Sequence, residues 1–217
     1  MGIIKKRISL LLKRWRFSLF AKHAIRIFAS LAKENEWDYF ITYGTLLGAY
    51  REHHFIKHDD DIDIAVNNKN LSISTIKKMC EVGFQLKGIF TTNDRAYKHI
   101  CFYYKGITFD LYGFSRVDKK IVQFEPVAID RNWDYSVNIN KFGVAKTSFK
   151  DEGMQSVIFE KAEVMIPTNT KDFLEGLYGK NFMTPIKKSS GNIPKSSITE
   201  FCSIDTIHAE KITIEEL

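Results

Sequence analysis

The first 33 residues contain no aspartate and no glutamate; Glu34 is the first acidic side chain. Nine basic residues fall in that stretch: Lys5, Lys6, Arg7, Lys13, Arg14, Arg16, Lys22, Arg26 and Lys33. The segment carries +9, so the net charge of +6 over 217 residues leaves −3 for the remainder. The basicity belongs to one end, which argues against a domain-wide nucleic-acid surface, and no nucleic-acid partner is expected. Cysteine is scarce. Cys80, Cys101 and Cys202 form no CxxC pair and no zinc-spaced cluster, which argues against a disulfide framework and suits a reducing compartment. All three read as small, semi-buried side chains. With only 4 prolines, long disordered linkers are not expected. No apolar run approaches the ~20 residues of a membrane-spanning helix. "ISLLL" is shorter than the roughly 7 to 15 residues of a signal-peptide core, so secretion is not expected.

Projected at about 100° per residue, Ile8, Leu11, Leu12, Trp15 and Leu19 share one helical face opposite most of the early basic residues. After about residue 18 the sides exchange, and Phe20, Ile27, Phe28 and Leu31 form the apolar stripe. Residues 1–20 therefore read as a basic amphipathic segment resting on a surface, and the next turns as packed on the domain. An anionic membrane face suits the first half, giving a cytoplasmic protein peripheral on the inner face of the membrane. A basic helix packed on its own domain and a mitochondrial transit peptide share this composition.

Further along, "DYFITYG" (38–44) predicts a strand ending at Gly44, "TLLGAY" (45–50) a short helix, and "REHHFIKHDD" a polar loop. "DIDIAV" (61–66) alternates with period two, as a strand does. "NLSISTIKKMCEVG" (70–83) predicts a helix stopped by Gly83. "FQLKGIF", "YKHICFYY", "ITFDLYGF" (107–114), "KKIVQF" and "AEVMIP" predict strands. "TKDFLEGLYG" predicts a helix with Thr170 as N-cap and Gly179 as its stop. Residues 130–155 match no template, and the stretch after Pro185 reads as a lid, an acceptor-binding extension or a loose end.

The carboxylates of "IKHDDDIDIAV" (56–66) stand at the mouth of a core strand, where unpaired charge is costly. Alternate strand residues share a face, so Asp61 and Asp63 point together while Ile62, Ile64 and Val66 face the core. Asp59 joins the pair if the extended conformation reaches back that far. Carboxylates this close repel unless a cation sits between them, and hard oxygen ligands suit Mg²⁺ or Mn²⁺. Asp110, alone in an aromatic strand, is a third acid for the same site or a base for an attacking hydroxyl. Gly44 allows close approach to a ligand, and Thr45 can offer its hydroxyl and amide to a phosphate at a helix start.

The stretch "YGTLLGAYREHHFIKHDDDIDIAV" resembles the signature of the LicD/fukutin family, in which a GTLLG-type turn and an arginine precede an aromatic-Ile-Pro-Trp-Asp-Asp-Asp-Ile-Asp block. "FDLYGF" is similar to the family's later Asp-bearing strand, and "VMIPTNTKDFLEGLYGKNFMTP" to its closing element. The resemblance implies an α+β fold: a nucleotidyltransferase-like mixed β-sheet with flanking helices, here preceded by the basic amphipathic helix. Residues 21–187 would be the catalytic domain and residues 188–217 a C-terminal extension. It implies metal-dependent transfer of phosphocholine, or a similar alcohol or polyol phosphate, from a CDP-activated donor to a sugar hydroxyl of a cell-surface glycan or glycolipid. Carried over by position, Asp59, Asp61, Asp63 and Asp110 would hold the metal, with Asp61, Asp63 and Asp110 catalytic. Gly44 and Thr45 would hold phosphate, and Arg51 would clamp it with its planar fork. His53 and His54 stand where glycines are common, and Lys57 and His58 replace Pro-Trp. The histidines read as loop side chains on a phosphate-handling surface. Lys187 and Lys188 either touch a diphosphate or lie in solvent. A strict nucleotidyltransferase and a non-catalytic membrane-associated scaffold are the alternative readings.

Overall fold

The structure is a computed structural model. It describes residues 2–127, 141–185, 198–201 and 208–217, leaving aside the side chains of 2–10, 125–127, 141–142, 198–201 and 208. Lys187, Lys188 and Cys202 lie outside the described residues. The chain opens with α1 (Gly2–Glu34), one helix unbroken through residue 20. The predicted exchange of sides is real. Leu11, Leu12, Trp15 and Leu19 are 64%, 48%, 60% and 50% exposed, whereas Ala21, Ala24, Ile25, Phe28 and Leu31 are buried. Alanines at 21, 24, 29 and 32 let the helix approach the sheet closely. Phe28 anchors it, with its ring 5.1 Å from Tyr39 and 5.3 Å from Phe109.

The sheet begins with β1 (Tyr39–Ile41), and α2 (Tyr43–Arg51) leads to β2 (Asp61–Asn67). α3 (Ile73–Glu81) follows, then β3 (Gln85–Thr92), β4 (Lys98–Tyr104), β5 (Ile107–Val117), β6 (Lys120–Val127) and β7 (Lys141–Lys150). A hairpin of β8 (Met154–Phe159) and β9 (Ala162–Pro167) forms a separate two-stranded sheet before α4 (Thr170–Tyr178). β10 (Ile198–Phe201) and β11 (His208–Ile212) return to the main sheet. That sheet runs β1-β2-β5-β4-β3-β11-β7-β10, with β6 joining β5 to β7. β2 and β5 are parallel and the other pairs antiparallel, so the fold is α+β with a mixed sheet. The pairings β5–β4–β3–β11–β7–β6–β5 close a ring, because the first half of the long β5 pairs with β4 and its last residues with β6.

Several local expectations change. β1 ends at Ile41, and Gly44 lies in the first turn of α2, because Tyr43 at φ 44° turns the chain into the helix. α3 starts at Ile73 behind Ser72, whose hydroxyl accepts the Thr75 N–H. Asn169, not Thr170, is the cap position of α4; the Thr170 hydroxyl donates back to the Pro167 carbonyl. Cys80 is exposed on α3, against the expectation for all three cysteines, while Cys101 is buried. β7 and β8 occupy much of the stretch that matched no template. β11 lies between β3 and β7, so this part of the C-terminal stretch is neither lid nor loose end.

Candidate active site

β2 carries Asp61 and Asp63 because its β-branched residues claim the other face: Ile62, Ile64 and Val66 are fully buried. The parallel register with β5 places Asp63 directly beside Asp110, and Asp61 beside Thr108. One carboxylate oxygen from each of Asp61, Asp63 and Asp110 lies within 4.8 Å of the others. Asp63 and Asp110 are only 8% and 6% exposed. Burial, then the charge of Asp110, pushes the pKa of Asp61 up to about 7. Burial, then Asp61 and Asp110, raises Asp63 well above the usual carboxylate range. Among the described residues, Asp61 and Asp63 have no ion-pair partner within 4.0 Å.

Asp110 is hydrogen-bonded to His99, with Oδ1 2.9 Å from Nε2. The His99 ring is fixed between Tyr112, stacked at 4.4 Å, and Phe90 at 5.5 Å. Sequence reasoning missed His99. Its place in "YKHICFYY" marks it only as one alternate residue of a strand, and the β4–β5 register is what aims it at Asp110.

Two hydrogen bonds lock the first turn of α2 onto β2. The Thr42 N–H donates to the Asp63 carbonyl at 3.1 Å, and the Asp63 N–H donates to Thr45 Oγ1 at 3.0 Å. Thr45 is 1% exposed, so the hydroxyl expected on a phosphate braces Asp63 from behind. The amides of Gly44 and Thr45 precede the helix's first backbone bond, from the Leu46 N–H to the Thr42 carbonyl, and have no acceptor one turn back. Asp59 stands against this turn, its Oδ2 3.4 Å from where a Gly44 Cβ would be, and it lies outside the 4.8 Å trio. Burial, then Asp60, pushes its pKa up to about 6. Asp59 Oδ2 and Thr42 Oγ1 are buried without a hydrogen-bond partner. Arg51 reaches inward but holds Glu52 through Nε at 2.9 Å and the Phe182 carbonyl through Nη1 at 3.2 Å.

The loop between α2 and β2 is held by a residue that sequence reasoning also missed. Glu160, in the β8–β9 turn, accepts from the Phe55 N–H at 3.2 Å, meets His54 Nδ1 at 3.2 Å and pairs with Lys22 of α1 at 2.8 Å. Burial alone would raise its pKa; Lys22, the Phe55 amide and His54 outweigh that and hold it below the usual range. His53 has φ 58°, which accounts for the glycine usual there, since glycine adopts this region freely. Gly48 is obligatory, because a Cβ would lie 2.7 Å from the His54 carbonyl. Lys57 and His58 are exposed in the turn that follows.

A family model described as LicD/FKTN/FKRP, nucleotidyltransferase domain, matches residues 36–169, more than half of the chain. That span contains the carboxylate trio, the α2 turn, His99 and Glu160. No curated protein matches the chain.

Proposed function

The chain belongs to the LicD/FKTN/FKRP nucleotidyltransferase-domain family, and from that membership, which points to a phosphotransferase-like enzyme acting on glycans, we propose a specific reaction. It transfers a phospho-substituent, phosphocholine or a similar alcohol or polyol phosphate, from a CDP-activated donor to a sugar hydroxyl of a cell-surface glycan or glycolipid. The supporting observation is the trio of half-buried Asp61 with buried Asp63 and Asp110, each offering one oxygen within 4.8 Å of the others. Two oxygens bound to one Mg²⁺ at about 2.1 Å each can be at most about 4.2 Å apart, so small side-chain rotations suffice and the residues fit such an ion. Mg²⁺ or Mn²⁺ bound there would neutralise charge on the diphosphate. The amides of Gly44 and Thr45 bind a diphosphate oxygen at the start of α2, where Asp59 Oδ2 and Thr42 Oγ1 lack partners. Asp59 stands beside that turn as a further arm, with Arg51 supplying positive charge nearby. Asp110, held by His99, takes the proton of the acceptor hydroxyl. The hydroxyl oxygen bonds to the distal phosphorus as the bond to CMP breaks, and CMP leaves with the electron pair.

Incubating the protein with Mg²⁺, a sugar acceptor panel and a panel of CDP-alcohols, then weighing the products, tests this reading. Release of CMP with gain of one phospho-substituent on the sugar is expected. Formation of CDP-alcohol from CTP and a phospho-alcohol, with no sugar product, would replace the reading with strict nucleotidyl transfer. Absence of divalent-ion and CDP binding by calorimetry would leave only a scaffold.

We also propose that the first half of α1 rests on an anionic membrane surface. Leu11, Leu12, Trp15 and Leu19 stay exposed on a helix whose segment carries +9, a pairing that suits acidic headgroups. Among the described residues no helix is long and apolar enough to cross a membrane. Lys13 Nζ lies 4.0 Å from Asp60, and the Phe17 ring 5.0 Å from that of Phe55, so this half of α1 meets the loop that carries Asp59 with the face opposite the exposed strip. Co-sedimentation with phosphatidylserine-containing vesicles, absent with neutral vesicles and lost in Trp15→Glu, is expected. Binding that ignores lipid charge, or a dimer in solution that Trp15→Glu dissolves, would overturn it.

A further inference from the structure

The sheet face that carries Asp110 continues across three more strands. Opposite residues of paired strands share a face. Tyr103, Cys101 and His99 of β4 stand opposite Thr108, Asp110 and Tyr112 of β5. Gly88 and Phe90 of β3 stand opposite Cys101 and His99, and Lys211 of β11 opposite Phe90. At a strand spacing of about 4.8 Å, this floor runs roughly 14 Å beyond β5. The reverse face is closed, with Ile100 and Phe102 fully buried.

The β3–β4 register slips between Leu86 and Gly88, leaving Lys87 as the extra residue. A bulge of this kind re-aims a side chain out of strict alternation, and Lys87 Nζ lies 4.7 Å over the centre of the Tyr103 ring. Tyr103 is 38% exposed. Gly88 keeps the floor low: a Cβ there would meet the Phe90 ring at 3.2 Å and Lys211 Cε at 3.4 Å. Lys87 and Lys211 have no carboxylate partner within 4.0 Å among the described residues. An exposed aromatic ring and two unneutralised ammonium groups thus lie on the same face as the carboxylates.

We infer that Lys87, Tyr103 and Lys211 form a subsite for an acidic sugar, its ring against Tyr103 and its phosphate or carboxylate on the two lysines. Calling that sugar the acceptor rests on the transfer reaction proposed above; the binding site itself does not. The start of α2 adjoins the carboxylates from the β1–β2 side, and the lysine floor extends from the β5–β4 side. In-line displacement needs nucleophile and leaving group on opposite sides of phosphorus. A donor diphosphate at α2 therefore leaves the Tyr103 side for the acceptor.

The test uses the full chain in EDTA, which removes metal-dependent anion binding at the carboxylate trio, and the lysine variants below identify the part of the binding that belongs to this floor. Saturation-transfer NMR compares glucose 6-phosphate, glucuronate, methyl glucoside and CMP. Binding of at least one acidic sugar is expected, with methyl glucoside and CMP silent; whichever of the first two binds more tightly identifies phosphate or carboxylate as the preferred group. Lys87→Gln with Lys211→Gln should weaken that binding about tenfold, Tyr103→Ala should weaken it too, and thermal melting should confirm that the variants are folded. Equal binding of methyl glucoside, lysine-dependent binding of CMP, or acidic-sugar binding indifferent to the lysine changes would overturn the inference. Asp61→Asn separates the two readings: it should remove metal-dependent transfer and leave sugar binding in EDTA intact.

Discussion

Glu160 and the Asp61–Asp63–Asp110 trio are both withdrawn from solvent, and their surroundings are opposite. Glu160 has a lysine, a backbone N–H and a histidine on its two oxygens. Its pKa is lowered, so its charge is an asset to the fold. Asp61 and Asp63 face each other and Asp110, and their pKa values are raised. A buried acid that the protein compensates is holding something together. Acids left uncompensated in such a place, as Asp61 and Asp63 are, cost stability, which is expected where a ligand completes the charge balance.

The sharpest way to break this contrast is to remove one acid from each side. Asp63→Asn should lower transfer at least about 100-fold, while the melting temperature in chelator at about pH 8 rises, because an acid that burial and the neighbouring carboxylates disfavour in its charged form is replaced by a neutral amide. A fall in stability would make the trio structural and erase the contrast. Glu160→Ala should destabilise by about 2–3 kcal/mol in urea unfolding, since Lys22 and the Phe55 amide lose their buried partner. Its effect on chemistry should be indirect, through the loop that carries Asp59.

Titration separates the two regions in sign. Asp61 has its folded pKa raised to about 7 from an ordinary 3.8. The metal-free protein therefore loses stability through this site as pH rises from about 4 to about 7. Glu160 is depressed below its ordinary 4.5. Its contribution is present above about 4.5 and is lost as pH falls through the lower folded value. Melting temperatures in chelator from pH 3 to 8 should show a falling limb above pH 4 that Asp61→Asn shrinks. They should also show an acid limb that Glu160→Gln shrinks. The smallest effect is expected at His53, whose φ of 58° suits glycine better. His53→Gly should raise stability by no more than about 1 kcal/mol and leave the His54–Glu160 contact and the titration contrast unchanged.

Much of the fold was legible because its signals are local. Period two placed β2 and set Asp61 and Asp63 on one face, and the long loop ahead of them was visible as a polar stretch. The exchange of faces in α1 was readable from the 3.6-residue repeat and is matched by the exposed Trp15 and the buried Phe28. What escaped was non-local. Glu160 lies in a hairpin turn, where a glutamate carries no special signal. His99 looks like any strand residue. The bulge that re-aims Lys87 depends on the register between two strands. Thr45 had the right position for a phosphate contact, but the packing of α2 on β2 puts its hydroxyl on the Asp63 amide.

Family membership, the order of the motif residues, the acidic pair on β2 and the basic, acid-free N-terminal helix were determined by the sequence by itself. Each is a property of neighbouring residues, written in spacing and composition. Tertiary structure alone decided that Asp110 stands directly beside Asp63 with His99 upon it, which glutamate clamps the loop, and that Asp59 stands against α2 outside the trio. Those outcomes depend on the parallel pairing of β2 with β5 and on the contact of a distant hairpin with α1. Strand partners far apart in the chain are selected by the packing of the whole core, and no local repeat encodes that selection.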